Sequence, residues 1–377
     1  MSDPQGTDNT AAQAPYNPET SDPQHAGSAP PQASFTLPSG VASQAAPPKK
    51  QSPFVKIGLG CLGLIVLGCI GIGGFAFFQL QQQKQAYEAG HKAYLAGDCT
   101  TAIASLTKAA DGLDDDVKAS AKAEMQECEA LGEVDQLVTD GTIGDGVLGY
   151  VAFMDKYDQS PLAAVALTKA QEAVAAADPE ALATVDVCDS VDSLVENTTI
   201  ATPDESLPPL LYACGQTYEN EARWTDAVNT YARFRKDYTD HELAPQVEEA
   251  YVRATLSEAQ DLGAGELPAP QGQGQNSGGD VTVVIQNDSP ESLSIVFSGP
   301  DIRVEELEAC TDCESFTSDS PSGCPELGPI GTYKLKPGSY DVVVKASSDT
   351  SVTPFRGTWD LSDAEEYSSC FYLVTGP

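Results

Sequence analysis

Four cysteines near the C-terminus, Cys310, Cys313, Cys324 and Cys370, are the residues of this chain whose type and spacing come nearest to chemistry. Cys310-Thr-Asp-Cys313 is a C-x-x-C, and with Cys324 and Cys370 it could supply the four thiolates of a tetrahedral zinc site. Alone, it could exchange disulfides. Both readings are disfavoured. Zinc needs reduced thiols, and the spacings to Cys324 and Cys370 do not form a second C-x-x-C. A redox C-x-x-C sits at a helix N-terminus, where its thiolate is stabilised, whereas "VEELEACTDCE" surrounds this one with carboxylates. The expectation is structural disulfides. Of the three pairings that four cysteines allow, the sequence reading favours Cys313–Cys324 with Cys310–Cys370.

Of the ten cysteines, Cys61 and Cys69 fall inside an apolar run, which leaves an even number elsewhere, as an oxidising compartment favours. Cys99 and Cys128 lie equidistant from the acidic turn "DGLDDD", and Cys188 and Cys214 from Ala201 in the loop "ENTTIATPDES". Residues equidistant from the turn of an antiparallel helical hairpin lie level with one another. Two hairpin staples are therefore expected, Cys99–Cys128 and Cys188–Cys214.

Other chemistry is thinly supplied. There are only three histidines, His25, His91 and His241, and no G-x-S-x-G, H-E-x-x-H, P-loop or dinucleotide fingerprint. "DGLDDDVK" departs from the calcium-loop pattern and reads as a solvated turn with an N-cap. Asn197-Thr-Thr and Asn287-Asp-Ser have the form of glycosylation acceptors. No enzyme, catalytic residue, cofactor or metal is expected.

The elements that position these residues begin with charge. The formal net charge is −36, from 56 acids against 20 bases. Such a surface repels nucleic acid and anionic headgroups and favours basic partners. Residues 1–48 are rich in Pro, Gln and Ala without Lys or Arg, a composition that cannot bury enough apolar surface to order itself. Residues 49–80 carry Lys49, Lys50 and Lys56 ahead of an uncharged run from Ile57 to Leu80. As helix that run reaches about 36 Å, against a hydrocarbon core of ~30 Å. The expectation is one transmembrane helix, with the N-terminus cytoplasmic and the bulk of the chain extracytoplasmic.

Residues 81–262 read as helical hairpins. In "AYEAGHKAYLAGDCTTAIASLTKAA", Gly90, Gly97, Ala102, Leu106 and Ala109 recur at intervals that bring two helices close. The pattern returns as Leu211, Gly215, Tyr218, Trp224, Ala227, Tyr231 and Phe234, with Ala222 at the place of Gly97 and Cys99 at that of Trp224. A third echo aligns Tyr150, Phe153, Tyr157, Leu162 and Ala163 with Tyr231, Phe234, Tyr238, Leu243 and Ala244, at a spacing that is not a multiple of 34. These places resemble the tetratricopeptide repeat (TPR), a helix–turn–helix unit of about 34 residues. The resemblance implies an irregular, TPR-like all-α array. Its eighth and twentieth residues are small where helices cross, and its fifteenth turns the chain.

The stretch 263–280, "LPAPQGQGQNSGGD" at its heart, reads as a linker. Beyond it, 281–377 alternates with period two, as an all-β sandwich should. Pro337-Gly338 suits the centre of a type II turn and predicts a hairpin from Tyr333 to Ala346. The phrase "LKPGSYDVVV" is similar to the hairpins of extracytoplasmic immunoglobulin-like or PEGA-type modules.

The sequence thus reads as a multidomain, membrane-anchored, extracytoplasmic protein–protein interaction scaffold. Its TPR-like helices would hold a protein or peptide with basic segments. The alternative gives the work to the sandwich, which would bind an envelope polysaccharide or other ligand through Tyr333, Tyr340, Trp359 and Tyr372, with the helices as spacer.

Overall fold

The computed structural model describes residues 55–197, 199–276, 280–317, 324–347 and 352–375, with side chains from Gly74 onward except at 196, 197, 317 and 375. The tail read as disordered, 1–48, lies outside the described residues.

The helical region runs α1 (Val55–Leu95), α2 (Cys99–Ala110), α3 (Asp115–Thr139), α4 (Ile143–Lys156), α5 (Leu162–Ala176), α6 (Pro179–Leu182) and α7 (Val185–Asp189). After a π-turn at Ser193–Asn197 come α8 (Leu207–Asn220), α9 (Trp224–Asp237) and α10 (Ala244–Asp261). Short polar residues start several of them: Asp98, Asp114, Asp178 and Thr184 each accept a backbone N–H from the first turn they cap. Consecutive long helices pack as neighbours, α2 on α3, α3 on α4, α4 on α5, α8 on α9 and α9 on α10.

One device ends four of these helices. Gly97, Gly141 and Gly263 have φ of 75°, 89° and 69°, and Ala222 takes the same left-handed backbone at 54°. The following amide donates back across the last turn in each case: Asp98 to Ala93, Thr142 to Leu137, Arg223 to Tyr218 and Ala264 to Ala259. This is the Schellman ending, which satisfies carbonyls the helix leaves open. Ala222 makes the turn without glycine.

The expected transmembrane helix is corrected. Among the described residues no helix is long and apolar enough to cross a membrane. Side chains of the apolar run up to Gly73 lie outside the described set. What is described of α1 passes from exposed Phe75, Phe77 and Phe78 into glutamines and charged residues. Gln83 is buried there, donating to Ala109 O and Asp114 O at 2.9 and 3.0 Å while its Oε1 accepts from the Leu113 and Asp114 amides. A polar side chain of α1 thus closes the α2–α3 turn, so this part of the helix belongs to the array.

The strands are β1 (Gly265–Glu266), β2 (Gln271–Gln275), β3 (Val281–Asn287), β4 (Leu293–Ser298), β5 (Ile302–Leu307), β6 (Phe316–Thr317), β7 (Ile330–Leu335), β8 (Gly338–Ala346), β9 (Phe355–Leu361), β10 (Glu365–Phe371) and β11 (Val374–Thr375). One sheet has the order β1-β9-β8-β4-β5 and the other β2-β10-β3-β7, with β11 and β6 paired apart. Both sheets are mixed, since β1 runs parallel to β9 and β10 parallel to β3. They pack face to face around Phe297, Tyr340 and Trp359, with Val283, Ile285 and Tyr333 from the opposite sheet.

Three further expectations give way here. The chain from Tyr333 to Ala346 is no hairpin: β7 pairs with β3 and β8 with β4 and β9, so the Pro337-Gly338 turn carries the chain from one sheet to the other. The stretch read as a linker places β1 in one sheet and β2 in the other, and Pro268 O accepts the Trp359 indole N–H at 3.0 Å. Nor is the sandwich a free-standing all-β module. Val296 and Val343, on the outer face of the five-stranded sheet, belong to the same core as the helices. Lys345 Nζ meets the buried Glu258 of α10 at 2.8 Å, and Arg356 donates to Leu256 O. The fold is a helical array whose last helix lies on one face of a two-layer mixed-sheet sandwich.

Candidate interaction face

The recurring small residues set the approach of the helices. A Cβ on Gly90 would meet Leu106 Cγ at 2.6 Å and its backbone N at 3.0 Å, so glycine is what lets α1 lie on α2. Gly215 makes the same allowance for the Tyr231 ring between α8 and α9. Ala102, Leu106, Ala109, Ala227, Tyr231 and Phe234 are wholly buried, Tyr218 nearly so, and Trp224 half-buried. The third echo is structural too: Tyr157 closes α4 onto Phe153 as Tyr238 closes α9 onto Phe234, and the same turn leads into α5 and α10.

Tyrosine hydroxyls donate to carboxylates throughout this region. Tyr150 bonds Asp135 at 2.7 Å, Tyr218 bonds Asp189 at 2.8 Å and Tyr231 bonds Glu219 at 2.7 Å. Each of those carboxylates also holds a cation: Lys169 on Asp135 at 2.8 Å, Arg223 on Asp189 at 3.0 Å and Arg253 on Glu219 through two nitrogens at 2.8 Å. Burial, followed by the carboxylate's hydrogen bond, pushes all three phenols well above their usual range.

The first hairpin differs. Tyr87, His91 and Tyr94, spaced four and three residues apart, share one side of α1, and their rings stack at centroid distances of 5.6 and 6.1 Å. Opposite them α3 presents Glu124 and Glu127. Glu124 Oε1 accepts from Tyr87 and from His91 Nδ1, each at 2.8 Å, while its buried Oε2 has no hydrogen-bond partner. Glu127 Oε2 accepts from Tyr94 and, at 2.5 Å, from Ser160 ahead of α5. Burial and the Glu127 carboxylate push Tyr94 up to about 12, and burial with Glu124 raises Tyr87 as well. Ser160 is thus tied to a carboxylate and not to the imidazole. This geometry concentrates negative charge beside aromatic faces. The sequence reading passed over these two glutamates, although an i, i+3 carboxylate pair was there to be seen.

The eight cysteines whose side chains are described form four disulfides. Cys99–Cys128 joins α2 to α3 and Cys188–Cys214 joins α7 to α8, with Cα separations of 5.1 and 5.4 Å. The other four cysteines correct the favoured pairing: the bonds are Cys310–Cys313 and Cys324–Cys370. A turn at 311–312 brings the ends of the C-x-x-C together, 5.3 Å apart at Cα. Cys324 is drawn to β10 by Asp288, a fully buried carboxylate that accepts the Glu326, Leu327 and Gly328 amides at 2.9, 2.9 and 2.6 Å. Asp288, Cys324 and Cys370 converge closely enough to hold a metal, but both sulfurs are committed to each other and offer no thiolate.

Two sequence features lose their surface roles. Tyr340 and Trp359 are wholly buried and Tyr333 nearly so, which leaves Tyr372 as the half-exposed one of the four aromatics proposed for a sandwich ligand. Asn287 is also buried, donating to Glu291 O and Glu308 O at 2.8 Å, and is closed to glycosylation. The other acceptor, Asn197, has its side chain outside the described residues. Compared with known proteins, the chain matches no family model and no curated protein.

Proposed function

We propose that the protein is an extracytoplasmic interaction scaffold whose TPR-like helices hold a protein or peptide carrying basic segments. The observation that carries this reading is the aromatic and carboxylate face shared by α1 and α3. Stacked helical hairpins present a surface whose lining can vary without harming the core, and here that lining is acidic on a chain of net charge −36. Four disulfides favour an oxidising compartment over the cytosol. Attraction between such a face and a basic segment steers association and fades as salt screens it.

Photo-crosslinking of the full chain tests the reading, with the reactive residue at exposed Glu88 on α1 or at exposed Asp363 on the sandwich. The expected outcome is a basic polypeptide crosslinked from Glu88 at low salt and lost at high salt. Crosslinks from Asp363 alone would transfer the function to the sandwich.

A further inference from the structure

Three tyrosine–carboxylate pairs of the helical region carry an internal cation, and the two on the α1–α3 face carry no lysine or arginine. Lys169, Arg223 and Arg253 neutralise Asp135, Asp189 and Glu219. The donors to Glu127 are the hydroxyls of Tyr94 and Ser160. Glu124 is 91 % buried by its 9 % exposure, and beyond Tyr87 and His91 its second oxygen has no partner. A buried carboxylate in this state has given up hydration without full repayment.

Resting on the reading above, we infer that Glu124 and Glu127 seat a cationic side chain, a lysine ammonium or an arginine guanidinium, from the partner's basic segment. Glu127 and Ser160 are half-buried and His91 is 42 % exposed at its side chain, so the cation reaches the seat from the Glu127 side, Glu124 Oε2 itself being closed to solvent. The incoming cation does for Glu124 and Glu127 what Arg253 does for Glu219, supplying the counter-charge. The stacked faces of Tyr87, His91 and Tyr94 add the attraction of an aromatic ring for a cation. Charge complementarity selects the occupant: an acidic segment would meet two carboxylates, and an apolar one would leave both without a counter-ion.

The test uses the full chain, a short oligolysine peptide as probe and three charge-removing variants. Glu124→Gln and Glu127→Gln alter the seat; Asp115→Asn removes the same charge from a side chain 92 % exposed at the start of α3. The expected result is that the first two weaken peptide binding about tenfold and the third leaves it unchanged. Glu127, half-buried, keeps the test open should Glu124→Gln fail to fold. Peptide should also shift the ring resonances of His91 and not those of His241. Equal weakening by all three variants, with His91 unmoved, would overturn this seat while leaving a diffuse basic-partner role standing. No binding of oligolysine to the native chain would overturn both.

Discussion

The first hairpin with its following helix, α1–α3, and the last, α8–α10, are built in one register and differ in how their carboxylates are paired. Gly90 and Gly215, Gly97 and Ala222, Ala102 and Ala227, and Leu106 and Tyr231 hold equivalent places. At one further equivalent place Tyr94 stands where the last unit has Glu219. In the last unit Arg253 crosses from the next helix to that glutamate; in the first, the next helix sends Glu127 to the tyrosine. One backbone solution therefore carries a closed ion pair at one end and an open carboxylate pair at the other. Helix packing constrains the small and apolar places, and charge is free to change around them.

The widest gap between the units should come from their crossing glycines. At Gly215 a methyl group would strike the Tyr231 ring, which is held by its hydroxyl on Glu219 and cannot swing away. At Gly90 the obstacle is the Leu106 side chain, met first at Cγ, an aliphatic group that no hydrogen bond holds in place. Gly215→Ala should cost about 3 kcal/mol and Gly90→Ala about half that in urea unfolding. Equal losses would mean that the two crossings are equally rigid, and would remove the difference between them.

Removal of the acid comes next. Glu219→Ala leaves Arg253 and the Tyr231 hydroxyl unpaired, for a loss of about 2 kcal/mol, tempered because Arg253 is 56 % exposed at its side chain. Glu127→Ala leaves only hydroxyls behind and should cost about 1 kcal/mol or less. A larger loss at Glu127 would invert the comparison.

Alkali should test both units together. The folded pKa of Tyr94 lies at about 12 and that of Tyr231 is also raised, while an unfolded tyrosine ionises near pH ~10. The raised group protects stability fully below the unfolded value, and that stability is lost as pH climbs through the folded one. The midpoint of urea unfolding should therefore fall from pH ~10 upward, and Tyr231→Phe should flatten the fall. An unchanged slope in that variant would place the alkaline loss elsewhere.

The smallest effect lies at the helix endings. Ala222 holds a left-handed backbone that costs a residue with Cβ about 1 kcal/mol. Ala222→Gly should recover about half of that after the unfolded chain's extra freedom is counted, and Gly97→Ala should lose about 1 kcal/mol. Thermal midpoints moving in the same direction would refute the shared ending.

Local rules made much of the helical region readable. Gly90, Gly97 and Gly215 mark where chains must approach or turn, Asp114 marks an N-cap, and Cys99 with Cys128 and Cys188 with Cys214 betray their hairpins by symmetry. These signals act within one or two adjoining elements, so spacing alone suffices. The β region was read too simply for a related reason. Val342, Val343 and Val344 form an unbroken apolar run, and the structure buries all three, because α10 covers the face that period-two alternation would leave wet.

What only the tertiary structure decided is everything that depends on elements distant in sequence meeting. Glu124 and Glu127 look like ordinary surface acids of a helix until α1 brings Tyr87, His91 and Tyr94 against them. Cys324 finds Cys370 because a buried Asp288 collects three amides from the loop between them, a choice no spacing rule contains. The Pro337-Gly338 turn is a local fact, but whether it folds a strand back or passes it to another sheet is set by the partner strands β3 and β4. Composition and spacing determine which residues prefer to turn, cap or hide. The energies that choose partners are pairwise and long-range, and they exist only once the chain has closed on itself.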